Sequence, residues 1–224
     1  MPTILITGAN RGIGKALAER YLQDNWRVIA AVRNPGAFDL DCEKFALEIT
    51  SAESIASLKT EVGDSPIDVL WNNAGVFLDK EQSLDELTDD DWLQSFLVNC
   101  ISPMRLSSAL RKNVLASERK CFVYTSTKMA SIKGVGAEAY AYRSSKTALN
   151  MAVSRFSDEI KVAGGSAVVF HPGWVQTDMG GATADISVDE SAEGMKKTAD
   201  KMRPETQAEF NRTYRNYTGE ILPW

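Results

Sequence analysis

The chain has 224 residues, 44% of them hydrophobic, enough to bury one good core, and no Pro-, Gly- or Ser-rich linker divides it, so 1–224 is read as a single domain. A net charge of -5, from 25 basic and 30 acidic residues intermixed along the chain, leaves no footprint for nucleic acid, and no run of about 18 apolar residues is long enough to span a membrane. Cys42, Cys100 and Cys121 are widely spaced and odd in number, the lone His171 assembles no His-based metal cluster, and Met1-Pro-Thr-Ile lacks the basic start of a signal peptide, which together point to buried thiols, no metal and a cytoplasmic location.

Thr3-Ile-Leu-Ile6 reads as a short buried strand. Gly8, Gly12 and Gly14 follow, and then Ile13, Ala16, Leu17, Arg20 and Tyr21 recur at helical spacing. A strand, a glycine turn and a helix N-terminus make an anion site, because the first helical N–H groups lack partners and the helix dipole favours negative charge there. The spacing Gly8-x-x-x-Gly12-x-Gly14 differs from the G-x-G-x-x-G dinucleotide fingerprint. Thr7-Gly-Ala-Asn-Arg-Gly-Ile-Gly14 resembles the TGxxxGIG coenzyme motif of the short-chain dehydrogenase/reductase superfamily. That resemblance implies an α/β, Rossmann-type doubly wound parallel sheet with helices on both faces, and a coenzyme held by Gly8, Asn10, Arg11, Gly12, Ile13 and Gly14.

Arg27 to Val32 is the second strand, apolar enough for burial on both faces. Its tip is Arg33, where an NAD site usually carries a carboxylate for the ribose 2′-OH. With Arg11 as a second cation in the glycine loop, the 2′-phosphate of NADP is favoured, while Asp39 and Asp41 keep NAD as the less favoured choice. Lys44 to Ile49 alternates Phe45, Leu47 and Ile49 as a third strand, and the resemblance sets Glu48 and Ile49 at the coenzyme. Ser51 to Val62 is a helix that Ser51 or Thr50 can cap. Ile67 to Trp71 is strand four, ending in Asn72-Asn73-Ala74-Gly75, which matches the superfamily's NNAG motif on the adenine-ribose side. Val76 to Thr88 is polar loop.

Asp89-Asp-Asp opens a helix running through Trp92, Phe96, Leu97 and Cys100 towards Leu115, and Asn99 within it resembles the family's helix asparagine, which holds a water linked to the catalytic lysine. Lys120 to Thr125 is strand five. The most specific signal is Tyr140-Ala-Tyr142-Arg-Ser-Ser-Lys146, in which Tyr142 and Lys146 share a helix face and Tyr140 has Ser144 at the same spacing. A free phenol ionises near pH ~10, and an ammonium beside it is expected to lower that value. The family's catalytic serine slot falls on Thr127, with Ser126 and Ser131 as open alternatives. Gly165 to His171 is strand six, and His171 reads as a packed strand-end residue. The resemblance then assigns Pro172, Gly173, Val175 and Thr177 to the coenzyme. Trp174 is either a pocket wall or a core residue, Gly180 to Thr183 a candidate lid, and Ser187 to Glu190 a capping box before a helix to about Met202. Phe210 to Tyr217 reads as an edge strand before the closing segment to Trp224.

The motifs are most similar to C-factor and sniffer-type carbonyl reductases. Such a resemblance implies NADPH-dependent reduction of a small carbonyl compound (aldehyde, ketone or quinone) with Tyr142 as acid/base, Lys146 lowering its pKa, Thr127 orienting the carbonyl and Asn99 anchoring a water. The alternative is an NADP(H)-binding signalling or regulatory protein with little turnover. Residues 127–140 and a substrate loop at about 174–190 would shape the pocket. Helices at 93–110 and 141–156 present Ala and Leu faces that suit a homodimer or homotetramer as well as packing on the sheet.

Overall fold

Thr3–Thr7 form β1, in which every residue is buried. Ile4 and Ile6 enter one core layer and Leu5 the other, the two-residue alternation of a strand covered on both faces. The computed structural model describes residues 1–224 except Val135 and Ala137. Those two fall within the expected 127–140 pocket segment and lie outside the described residues.

Around β1 stand β2 (Arg27–Val32), β3 (Glu43–Ala46), β4 (Val69–Asn72), β5 (Cys121–Thr125), β6 (Ser166–His171) and β7 (Thr213–Asn216). They form one seven-stranded sheet in the order β3-β2-β1-β4-β5-β6-β7, and every ladder in it is parallel. The chain works outward from β1 to β3 and then returns to set β4 against β1. The order therefore reverses at the β1–β4 seam, where a doubly wound sheet leaves a crevice at its strand C-termini. Apolar stripes of α1 (Gly12–Gln23), α7 (Val188–Ala199) and α8 (Gln207–Phe210) cover the layer of Ile4, Ile6, Trp71 and Phe170. Those of α2 (Ala52–Val62), α4 (Ser102–Ala109), α5 (Arg111–Leu115) and α6 (Tyr140–Ile160) cover Leu5, Leu70, Phe122 and Val169.

Three expected elements differ in detail. The third strand stops at Ala46 rather than Ile49. Leu47 still donates to the Val32 carbonyl, but Glu48 N–H turns to the Ser54 hydroxyl and Ser51 caps α2 through the Ser54 N–H. The helix expected from Asp89 to Leu115 is broken into α3 (Asp89–Phe96), a π-helical turn at Leu97–Ile101, α4 and α5. The π turn contains Asn99, whose amide bonds the Val76 backbone instead of its own helix, and Pro103 just beyond it has no N–H to donate. Only half of the expected capping box at α7 forms. Ser187 accepts from the Glu190 N–H, while the Glu190 carboxylate takes the Tyr217 hydroxyl at 3.2 Å.

Trp71 lies fully buried at the middle of the sheet, stacked on Phe170 at 6.1 Å and edge-on to Tyr21, with its indole N–H donated to the Thr125 hydroxyl at 3.1 Å. Trp71→Ala is expected to lower the unfolding free energy by about 3–5 kcal/mol, read as a shifted urea midpoint at constant slope.

Candidate active site

The turn between β1 and α1 brings Gly14 against Gly8. A Cβ on Gly14 would lie 2.3 Å from the Gly8 carbonyl oxygen and 2.6 Å from Asn73 Nδ2, so no larger residue fits without moving backbone. Asn73 closes the knot from β4: its Nδ2 donates to the carbonyls of Thr7 and Gly8, and the Thr7 hydroxyl accepts the N–H groups of Asn73 and Ala74 at 3.0 Å each. The open N–H groups at the start of α1 are thereby aimed into a cleft, since Arg11 at its N-cap is extended and offers no side-chain cap.

That cleft has a volume of about 520 Å³ and lies over the strand C-termini. Gly8, Asn10, Arg11, Gly12, Ile13, Arg33, Glu48, Ile49, Asn73, Ala74, Gly75, Tyr142, Lys146, Pro172 and Thr177 all line it. Gly14 sits one layer behind. Gly173 does too, packed under Ile186 and Tyr217, and Val175 is buried and bridged to Ile186. Of the cations expected at a 2′-phosphate, Arg33 is exposed at the cleft and Arg11 pairs with Asp178 at 2.5 Å across its mouth. Asp39 is held by Lys15 at 3.1 Å, outside the cleft lining. A glycine cradle that a Cβ would fill and a cationic rim suit the pyrophosphate and 2′-phosphate of NADP.

At the other end of the cleft stand Tyr142 and Lys146, while the other two catalytic candidates, Asn99 and Thr127, are buried outside its lining. Tyr142 is buried and lines the cleft, whereas Tyr140 is half-exposed at the helix start. Lys146 extends from the next turn and donates to the Thr125 carbonyl at 2.9 Å, and a Cβ on Gly75 would stand 3.2 Å from its Nζ. Of the three hydroxyls left open by sequence, Ser126 lines the cleft, while that of Thr127 accepts from the Met129 N–H at 3.3 Å and acts to lower the Tyr142 phenol's pKa. Ser126 donates to Asn150 Oδ1 at 2.8 Å and Ser131 to the Trp224 carbonyl at 3.0 Å. Asn99 is tied to Val76 and donates to the Ser145 hydroxyl at 3.1 Å.

The expected lowering of the tyrosine pKa by Lys146 is not what the site produces. Burial pushes the phenol up to about 12, the Thr127 hydroxyl opposes the rise and the Asp79 carboxylate adds to it. Burial also drives Lys146 down to about 8, with the Cys100 thiol acting the other way. His171 is depressed to about 4 by burial and the nearby Lys128 charge, so it is neutral at pH 7, a packed strand-end residue as read from sequence. Trp174 is neither core nor wholly free: it is half-exposed and clamps the Gly180 carbonyl at 2.8 Å. Further bonds from Gly180 to Thr177 and from Gln176 to Ala184 fasten the expected lid segment.

Sequence reading missed several residues. Thr7 was legible as part of the quoted motif but carried no assigned role. Thr125, Gln176 and Met179 line the cleft; Thr125 could have been marked by its place at a strand end, while Gln176 and Met179 lie in the loop beyond β6. Phe77 stacks on Tyr142 at 4.3 Å, and Asp79 bonds the backbone of its helix. Neither has a local sequence signal, because each acts across a tertiary contact.

Comparison with known proteins agrees with this geometry. The short chain dehydrogenase family profile matches residues 2–187, and the chain belongs to that family. C-signal of Myxococcus xanthus is 36% identical over 166 residues, covering 74% of this chain and 97% of C-signal. The NADPH-bound carbonyl reductase from chicken fatty liver superposes with a TM-score of 0.89 at 29% identity, covering 100% of this chain and 99% of that one. Carbonyl reductase Sniffer of D. melanogaster gives 0.89 at 28% identity with 100% of both chains covered. The protein is a short-chain oxidoreductase of carbonyl-reductase-like architecture, from a family that uses NAD or NADP on small substrates. Among the described residues, no helix is long and apolar enough to cross a membrane.

Because Lys146 is depressed in the fold, the unfolded chain binds the extra proton between about pH 8 and the free-lysine value of 10.5, and stability rises with pH across that window. Lys146→Met is expected to be more stable than wild type at pH 7 by roughly 3 kcal/mol, with the gap shrinking above pH 8. Urea unfolding of both proteins at pH 7, 8.5 and 10 checks the magnitude and the sign.

Proposed function

We propose that the chain is an NADPH-dependent carbonyl reductase acting on an aldehyde, ketone or quinone, with Tyr142 as general acid/base. The carrying observation is the placement of Tyr142 and Lys146 at one end of a cleft whose other end is a glycine cradle with a cationic rim. NADPH, when bound, supplies the hydride. The residues of the chain orient and manage the proton. Tyr142 gives its phenolic proton to the carbonyl oxygen as negative charge develops there, and burial keeps that proton in place at neutral pH. Thr127 holds the phenol and the carbonyl oxygen in one hydrogen-bonded group. Lys146 binds the ribose hydroxyls and stabilises the tyrosinate left after transfer, and Asn99 anchors the water that returns the proton. Gly14, Gly173 and Val175 act from behind the lining by shaping the backbone against the coenzyme.

Arg33 and Arg11 select the 2′-phosphate, for which the phosphate competes with Asp178 at Arg11. The segment 174–190 bounds the substrate side of the single domain. Exposed Leu93, Ile101 and Met151 on the α3–π–α6 face suit pairing with a second copy. The resemblance to a protein named C-signal favours a signalling role, in keeping with a second reading in which the chain is an NADP(H)-binding signalling or regulatory protein with little turnover.

The deciding experiment follows NADPH oxidation by wild type and Tyr142→Phe against a panel of aldehydes, ketones and quinones. Turnover that disappears in the mutant, with NADPH affinity retained, is the expected result. Turnover that survives overturns the mechanism, and tight NADPH binding with no turnover on any carbonyl favours the second reading. Arg33→Ala is expected to weaken NADPH binding by about tenfold while leaving NADH unchanged, in line with one charge-assisted contact. Fluorescence titration with both coenzymes measures this.

A further inference from the structure

Helix α6 begins without a cap of its own. Its N-cap position is Ala139, buried, held at φ +64 in the left-handed region, and without a side-chain oxygen to offer. The N–H groups of Ala141 and Tyr142 belong to the first turn, where a helix has no internal acceptors. Asp79 supplies them from the loop after β4: Oδ2 accepts from Ala141 at 2.7 Å and Oδ1 from Tyr142 at 3.1 Å. The residue is 0% exposed. A buried carboxylate is tolerable when it is fully hydrogen-bonded and opposes the positive end of a helix, and both conditions hold here.

The same loop touches Tyr142 a second time. Phe77 lies flat on the tyrosine ring, 4.3 Å between centroids and 11° from parallel. On the far side of the residue, the Ser145 hydroxyl donates to the Tyr142 carbonyl at 2.8 Å and itself accepts from Asn99. Tyr142 is thus fixed at its N–H, its ring face and its C=O. Two of those contacts come from the peptide that also carries Asn73 and Gly75 at the cleft.

Resting on the reductase reading above, we propose that Asp79 is the positioning residue for Tyr142, gauging the first turn of α6 against the coenzyme-lining tip of β4. The charge of Asp79 has an effect that capping alone would not have, because it favours the protonated phenol. The other titratable groups facing the tyrosine are Lys146, one turn along α6, and Tyr214 of β7, whose hydroxyl donates to the Thr127 carbonyl. Cys100 of the π turn faces Lys146 rather than the phenol.

The test compares Asp79→Asn, which keeps the shape and one carbonyl acceptor but drops the charge, with Asp79→Ala, which removes both. Amide hydrogen exchange, the tyrosinate absorbance titration read against a Tyr142→Phe blank, and the pH profile of NADPH-dependent turnover are recorded for each. In Asp79→Ala the amides of Ala141 and Tyr142 should exchange at least about tenfold faster while those of Leu149 and Val153 hold their rates. In both variants the phenol should titrate at lower pH. The kcat should fall by about tenfold to a hundredfold with the KM for NADPH nearly unchanged, as for a displaced catalytic group. Unchanged exchange at Tyr142 together with an unchanged phenol titration overturns the proposal, even if turnover slows. If Asp79→Ala does not fold, the same readings on Asp79→Asn decide. If wild type reduces no carbonyl, the reductase reading fails, and exchange and titration still judge Asp79.

Discussion

The approach of α1 to the tip of β1 governs the rest of this structure. Gly14 comes so near the Gly8 carbonyl that a single methyl would collide with it at 2.3 Å. The contact lets the helix point its unpaired N–H groups at the seam where the strand order reverses. Asn73 locks the arrangement from the neighbouring strand, so the glycine turn and the tip of β4 form one hydrogen-bonded body.

From it a single peptide runs outward. Asn73 holds the glycine turn, Gly75 leaves room for the Lys146 ammonium, Val76 holds Asn99, Phe77 covers the Tyr142 ring and Asp79 receives the Tyr142 N–H. The π turn belongs to the same design. Asn99 spends its amide on Val76 and Ser145, and the local helix unwinds to let it do so. The helix distortion and the loop geometry are two sides of one contact, and the strain at Ala139 is a third.

The fold was legible because its information is local and periodic. Ile4, Leu5 and Ile6 announce a doubly buried strand, and the turn chemistry after each strand repeats the βα rhythm along the chain. The close approach of α1 to β1 was legible because glycine spacing encodes a backbone requirement directly. What could not be read depends on partners distant in sequence. No pattern near Asp79 says that its acceptors face residues 141 and 142, and nothing in Asn34 to Leu40 says that Lys15 holds Asp39 away from the cleft. The choice among Ser126, Thr127 and Ser131 was open for the same reason. Ser126 meets Asn150 and Ser131 meets the Trp224 carbonyl, partners that the sequence keeps far apart.

The protonation state of the site also resisted sequence reasoning, and the physical reason is burial. Spacing shows that Tyr142 and Lys146 share a helix face, which suggests an ammonium acting on a phenol. In the fold both groups are removed from water, and desolvation favours the neutral form of each, the phenol at about 12 and the amine at about 8. The lysine proton is directed to the Thr125 carbonyl rather than to the phenol. On the proposed reading this arrangement suits reduction. A tyrosine that keeps its proton at neutral pH is ready to donate when the substrate oxygen becomes strongly basic, and premature ionisation would leave the acid spent. The reverse reaction would need the phenolate first, and the same burial that holds the proton opposes that step. The apolar wall of Phe77 and the buried charge of Asp79 therefore act in one direction, keeping the acid form of Tyr142 ready beside the place where, on that reading, the glycine cradle would fix the coenzyme.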